Sequence, residues 1–216
     1  LHSFPTRRSS DLYSSRRGQE LIITPRKGLK KGSTFKTVVS YGGVPQTIVG
    51  SPIVFGSPYG FLHTPDGAFV GGEPNGASTW FPVNDHPSDK ATYDYTLTVP
   101  KGLTAVANGR LSEHRGATAS FSRRSAKIGA EVFRWHEDSP MASYLTTIDI
   151  GKWDVKSART PGGVPNYTAV DPVLLASQPD AVNFFYDTTS DITDTWSKIF
   201  GKYAFASTGA IADDAR

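Results

Sequence analysis

The sequence predicts a mainly β fold, either a sandwich or an open, curved pair of sheets. Three observations carry this. Aromatic residues make up 12% of the 216, amid many Val and Thr, the types that fit a pleated surface. Short apolar runs recur at close spacing, with Gly, Pro, Asn and Asp between them. Residues 92–99 alternate cleanly: Tyr93, Tyr95, Leu97 and Val99 point one way, Thr92, Asp94, Thr96 and Thr98 the other.

Residues 1–12 resemble the translation of a sequencing-library adapter, so they are expected to pack poorly and add no strand. On that reading the gene is cut at its front. The chain proper starts near Tyr13. Residues 19–24 read as a strand ended by Pro25, and residues 34–41 as a second, stopped by Gly42 and Gly43. The two predict a hairpin through the turn at 29–32. Residues 44–59 are rich in Gly, Pro and Ser and predict a long loop. Residues 67–70 lead into a singular stretch, discussed below. After 92–99, strands are expected at 103–107, 119–122, 131–135 and 144–150, then a polar link at 157–163 and a strand at 166–170.

From Asp180 the period becomes helical. Ala181, Phe185, Ile192, Trp196, Ile199 and Phe200 share a face, with Asp187, Asp191 and Asp194 mostly opposite. Ser177 or Asp180 can cap the start and Gly201 ends the helix. Such a stripe must be buried, either on the sandwich or in a domain that continues past Arg216.

Composition excludes several functions. The net charge is +3 and the pI about 9.1, but the basic residues are scattered, so no nucleic-acid patch is expected. No apolar run is long enough to span a membrane. With no cysteine, disulfide scaffolds and thiolate metal sites are excluded. None of the five histidines pairs with another at helical ligand spacing. His136-Glu137 begins an H-E-x-x-H pattern, but Pro140 stands where the second histidine belongs. No G-x-S-x-G elbow, phosphate loop or dinucleotide fingerprint occurs. The sequence therefore holds no complete catalytic constellation. Few Glu against many Asp, Ser and Thr lean towards secretion or the cell envelope.

The singular stretch is 71–87. Gly71 and Gly72 remove side-chain bulk, so a backbone or a ligand can approach closely. Glu73 follows, stiffened by Pro74, and Asn75-Gly76 turns the chain. Trp80-Phe81-Pro82 is an apolar anchor, and Asn84-Asp85-His86-Pro87 turns again into the alternating strand. Asp85 and His86 are read as turn chemistry. The pattern is one carboxylate on a rigid, pinned loop.

Glu73-Pro74, Trp80-Phe81-Pro82, Asp85-His86-Pro87 and Lys90-Ala91-Thr92-Tyr93 together resemble the N-terminal domain of the aminopeptidase N family of zinc metallopeptidases. Residues 99–109 resemble the next stretch of that domain, and Met141-Ala142-Ser143-Tyr144-Leu145 its Met-Ser-x-Tyr-Leu strand. Phe200-Gly201-Lys202-Tyr203-Ala204-Phe205 resembles the Phe-Gly-x-Tyr-x-Phe that closes the first helix of the catalytic domain. The resemblance implies a saddle-like β-sandwich over 13–165, then the first helix and strand of a thermolysin-like α/β domain over 166–216. It implies a zinc aminopeptidase acting on peptides with a free N-terminus, and a downstream catalytic domain as partner. Zinc ligands, general base and transition-state tyrosine are then expected beyond Arg216, so residues 1–216 alone should bind no zinc and be inactive. Gly209-Ala210-Ile211 imitates the family's Gly-Ala-Met-Glu-Asn loop, but Ala212-Asp213 follows, so it is read as the strand before that loop. The substrate-binding residues implied are Glu73, as partner of the substrate α-ammonium, with Gly71 and Gly72 beside it. Gly71 stands where relatives often carry glutamine.

A second reading is a non-catalytic β-sandwich module that binds carbohydrate or a protein partner. Trp80 and Tyr59 would then be ligand platforms.

Overall fold

The computed structural model describes residues 12–51, 55–122 and 126–214. The expectation for residues 1–12 thus lies outside the described residues, except at Leu12, which opens the first strand opposite Pro25. That strand, β1 (Leu12–Arg17), pairs with β2 (Glu20–Pro25) in an antiparallel hairpin. Gly18 takes φ 61° in the turn, a conformation other residues resist. The expected hairpin between 19–24 and 34–41 does not form. The 20–25 strand pairs with the polar segment before it, which shows no apolar alternation. Residues 34–41 form no strand, and Phe35 and Val38 are exposed.

Then follow β3 (Thr47–Ile48), β4 (Tyr59–His63), β5 (Ala68–Gly71), β6 (Lys90–Pro100), β7 (Thr104–Ala107), β8 (Arg110–Ala119), β9 (Ile128–Ala142) and β10 (Ile148–Gly151). β3 and the start of β4 fall within the stretch read as a long loop. One sheet has the order β3-β4-β5-β10-β7, a second β6-β9-β8, and every pairing in both is antiparallel. β6 alternates as expected, with Val99 buried, Tyr93, Tyr95 and Leu97 half-buried, and the residues between them exposed. β9 runs well past 131–135: the apolar signature stops at the polar residues His136 to Ser139, while the ladder to β6 continues to Ala142.

The two sheets enclose Val99, Ala105, Val106, Ala107, Phe133 and Trp135. The Trp135 indole N–H donates to the Ala105 carbonyl at 3.0 Å, so its one polar atom is satisfied within the core. A smaller cluster, Phe61, Ala68 and Val70, carries Trp80 and Ile148.

A third sheet follows. β11 (Asp154–Arg159) occupies the start of the expected polar link and pairs antiparallel with β12 (Pro165–Val170). β13 (Thr208–Ala212) joins β12 in parallel, with α1 (Pro172–Leu175) and α2 (Ala181–Phe200) between them. Ala169 of β12 enters the main core, and Tyr167 and Ile211 pack on it.

α2 ends at Gly201 as expected, at φ 99°, but it turns another face to the sheet. Its buried residues are Ala181, Tyr186, Ser190 and Thr193. Asn166 of β12 donates to the Tyr186 carbonyl at 3.1 Å and to Ser190 Oγ at 2.9 Å, and Thr193 meets Thr208 at 3.0 Å. Asp194 accepts from Thr160 and from the Gly162 amide, both at 2.7 Å. The sheet offers polar groups, so the polar row answers them. Ile192, Trp196, Ile199 and Phe200 are left exposed.

One buried carboxylate ties the first sheet together. Asp149 of β10 is 1% exposed and accepts the Val70 amide at 2.7 Å and the Thr147 hydroxyl at 2.6 Å. Burial pushes its carboxyl up to about 7, against the pull of these hydrogen bonds, and Asp213 nearby adds to the rise. The folded protein therefore keeps this proton where the unfolded chain, titrating near ~4, has released it. The stability so gained is full below ~4 and is lost as the pH rises towards about 7. Asp149→Asn can keep both hydrogen bonds, since the Thr147 hydroxyl also reaches the Val70 carbonyl at 3.1 Å. The variant should lose less stability than the parent between pH ~5 and ~8, measured by denaturant unfolding. Parallel curves would refute this.

Candidate functional site

β5 delivers Gly71 to the edge of a groove of about 670 Å³, which Gly72 and Glu73 also line. Tyr59 of β4, Tyr144 and Leu145 line it too. The last two belong to a 3₁₀ turn, Ser143–Leu145, that closes the strand expected at 144–150 into a shorter β10. The structure thus brings Gly71, Gly72 and Glu73 together at one groove.

The two glycines differ. A Cβ at Gly72 would stand 2.3 Å from the Tyr144 carbonyl oxygen, so only glycine lets the backbones meet. A Cβ at Gly71 would have Phe69 as its nearest neighbour, at 3.8 Å. Gly76 is also constrained, with φ 150° and a virtual Cβ 3.1 Å from the Gly60 Cα.

The loop beyond Glu73 is held from several sides. The Tyr59 hydroxyl donates to Asn75 Oδ1 at 3.1 Å. The Thr79 hydroxyl donates to the Gly76 carbonyl at 2.6 Å. Asp85 Oδ2 accepts the amides of Gly76 and Ser78 at 3.0 and 3.3 Å, while its Oδ1 accepts the Ser143 hydroxyl at 3.0 Å. Trp80 packs on Phe61, Ala68 and Val70, with the Phe81 ring 4.3 Å away. His86 is turn chemistry as expected, bonding locally to Ser88 at 2.7 Å. Asp85 does more than turn the chain. Its contact with Ser143 spans 58 residues, so no local spacing announced it.

On this held backbone Glu73 is exposed and has no hydrogen-bond or ion-pair partner among the described residues. A fixed, unpaired carboxylate can receive a cation. Zinc does not fit the residues described. Among them no group of three His, Asp or Glu could hold a metal ion. His63 meets the Pro45 carbonyl, His114 pairs with Glu131, and His136 with Asp94. Glu137, beside His136 on β9, points the other way and is buried, accepting the amides of Ser139 and Ala206.

The platforms of the binding-module reading are occupied internally. Trp80 is half-buried in its cluster, and Tyr59 is buried and bonded to Asn75. The glycine pair makes a contrast that can be measured. Gly72→Ala must push the Tyr144 carbonyl aside and should cost about 1–3 kcal/mol of unfolding free energy. Gly71→Ala should stay within about 0.5 kcal/mol of the parent. Equal effects in denaturant unfolding would refute the assignment.

Comparison with known proteins meets this geometry at the same segment. Residues 10–145 match the peptidase M1 N-terminal domain. Aminopeptidase B of Rattus norvegicus is 29% identical over 126 residues, covering 58% of this chain and 16% of that protein. Aminopeptidase M1 of Arabidopsis thaliana is 29% identical over 92 residues, covering 43% of this chain and 9% of that protein. The M1 zinc metallopeptidase of Deinococcus radiodurans has a similar fold, with TM-score 0.68 at 20% identity over 93% of this chain and 43% of that one. Legionella pneumophila aminopeptidase A, solved with aspartic acid, gives TM-score 0.55 at 20% identity over 74% of this chain and 20% of that one. The chain spans less than a fifth of the curated relatives it matches. A 93% overlap cannot fit inside residues 10–145, so the shared fold extends into the β11–β12–β13 sheet and α2. The pinned Glu73 loop, the Ser143–Leu145 turn and every strand of the two sandwich sheets except β10 lie within the matched residues, and the chain belongs to the peptidase M1 N-terminal domain family.

Proposed function

We propose that this chain is the amino-terminal part of a zinc aminopeptidase, and that it supplies recognition of the substrate's free α-ammonium through Glu73. The observation that carries the reading is the free carboxylate of Glu73 at the rim of the groove, on a backbone held by Gly72, Asn75 and Gly76. An ammonium leaving water needs a carboxylate and satisfied hydrogen bonds. Gly71 leaves the groove wall bare beside that charge, so a peptide backbone can lie close, while the space at Gly72 is taken by the Tyr144 carbonyl. Such a contact sorts substrates with a free N-terminus from internal peptide segments, because only the former present the cation.

Residues 166–216 are proposed to begin the catalytic domain. The exposed Ile192, Trp196, Ile199 and Phe200 on α2 support this, since an apolar stripe of that size calls for a further packed layer. β11 belongs to the same sheet as β12 and β13, so that unit takes in residues 154–159 as well. The metal is proposed to be held by residues other than those described. Purified residues 1–216 should then bind no zinc stoichiometrically and release no N-terminal residue. Metal-dependent release by the pure chain would overturn this part of the proposal.

Glu73 is tested in the complete protein. A hydrogen bond to a charged group contributes about 1.5–3 kcal/mol, so Glu73→Ala should lower kcat/KM on aminoacyl substrates by about 10- to 100-fold. Zinc content should stay the same, because Glu73 is not a ligand. An unchanged kcat/KM would make Glu73 a merely solvated loop carboxylate.

A further inference from the structure

We infer that Asp85 is a positioning residue for Glu73, an inference that rests on the reading of Glu73 above. One carboxylate joins the two walls of the groove. Through Oδ2 it accepts the Gly76 and Ser78 amides, which follow Glu73 by three and five residues. Through Oδ1 it accepts the hydroxyl of Ser143, which begins the turn carrying Tyr144 and Leu145. The Glu73 segment and the Ser143–Leu145 turn already touch at Gly72, where the Tyr144 carbonyl leaves no room for a Cβ. Asp85 is therefore a second fixing point for the same pair of walls, set on the far side of Glu73 from the first.

The arrangement suits a fixed role. Asp85 accepts three donors, two of them backbone amides near the open end of the 3₁₀ turn Ala77–Thr79. Without it, the Gly76 and Ser78 amides lose their acceptor and the loop is free to lift. Among the described residues Glu73 has no partner of its own to hold its place, so its position depends on the backbone on either side. Asp85 acts on the ammonium only through that backbone.

Two substitutions separate geometry from charge. Asp85→Asn can offer its carbonyl oxygen to the two amides and its amide group to Ser143, whose hydroxyl turns to accept. Asp85→Ala offers nothing. In the labelled 216-residue chain, amide exchange at Gly76 and Ser78 should speed up about tenfold or more in Asp85→Ala and little in Asp85→Asn, while β6 and β9 amides stay protected. In the complete protein, Asp85→Ala should lower kcat/KM on a free-amine substrate about tenfold, chiefly through KM, and Asp85→Asn should restore it. In a Glu73→Ala background the same change should cost less than about twofold, because the group being positioned is gone. If Asp85→Ala does not fold, Ser143→Ala removes one leg alone and should give about a threefold loss with the same dependence on Glu73.

An equal loss from Asp85→Ala in both backgrounds, or an Asp85→Asn variant as poor as Asp85→Ala, overturns the inference. Unchanged exchange at Gly76 and Ser78 overturns it too. If Glu73→Ala itself leaves kcat/KM intact, the reading of Glu73 fails instead. The exchange rates then still decide whether Asp85 holds the loop.

Discussion

The contact between the Gly72 backbone and the Tyr144 carbonyl sets how closely β5 and the Ser143–Leu145 turn can approach. The groove exists because they approach this closely. A β-carbon at residue 72 would part them, and the bonds around that point would then span the wrong distance. Asp149 pins β10 to β5 through the Val70 amide, two residues before Gly72. Asp85 pins the outgoing loop to Ser143. Trp80 fills the space beneath, against Phe61 and Val70. Each of these fixes backbone rather than ligand. Among the described residues the Glu73 carboxylate has no such partner, so the construction ends in a well-held segment bearing a free charge.

A second constraint governs how the third sheet meets the sandwich. Glu137 is 1% exposed, and both its oxygens lie 3.2 Å from the Ala206 amide. One oxygen also takes the Ser139 amide at 2.8 Å. The Ser207 hydroxyl donates to the carbonyl of Gly109. These bonds steer the chain into β13, whose Ile211 packs on the main core with Tyr167. A buried carboxylate with no cation beside it is costly unless amides satisfy it, and here the amides come from both units. The sandwich and the β11–β12–β13 sheet are therefore joined by one shared core and by directed hydrogen bonds. α2 lies on the outer side of that sheet, held by Asn166, Thr208 and Thr160, with its apolar stripe turned away.

Much of this was legible along the chain. The alternation of β6 and the end of α2 at Gly201 follow from local pattern, and the segment of β13 from the family resemblance at 209–211. The loop of residues 71–87 stood out for the same reason, as its glycines, prolines and aromatic pair are adjacent in sequence. Other features left no local trace. β1 is polar, so only its six backbone pairings with β2 reveal it. The helical stripe was legible from its period, but the polar face that α2 buries was not, since that depends on Asn166 of β12 and Thr208 of β13.

By itself, the sequence determined a mainly β chain, the position of one acidic loop and a resemblance to a peptidase family. Composition, two-residue and helical periods, and turn residues act over a few positions, and those are the distances a sequence displays. Only the tertiary structure decided that Gly72 must be glycine while Gly71 need not be. It alone decided that Asp85 reaches Ser143, and that Tyr59, Tyr144 and Leu145 share a groove with Glu73. The reason is physical. Close approach and hydrogen bonding depend on distances of a few ångströms between residues dozens of positions apart, and those distances exist only once the sheets have packed.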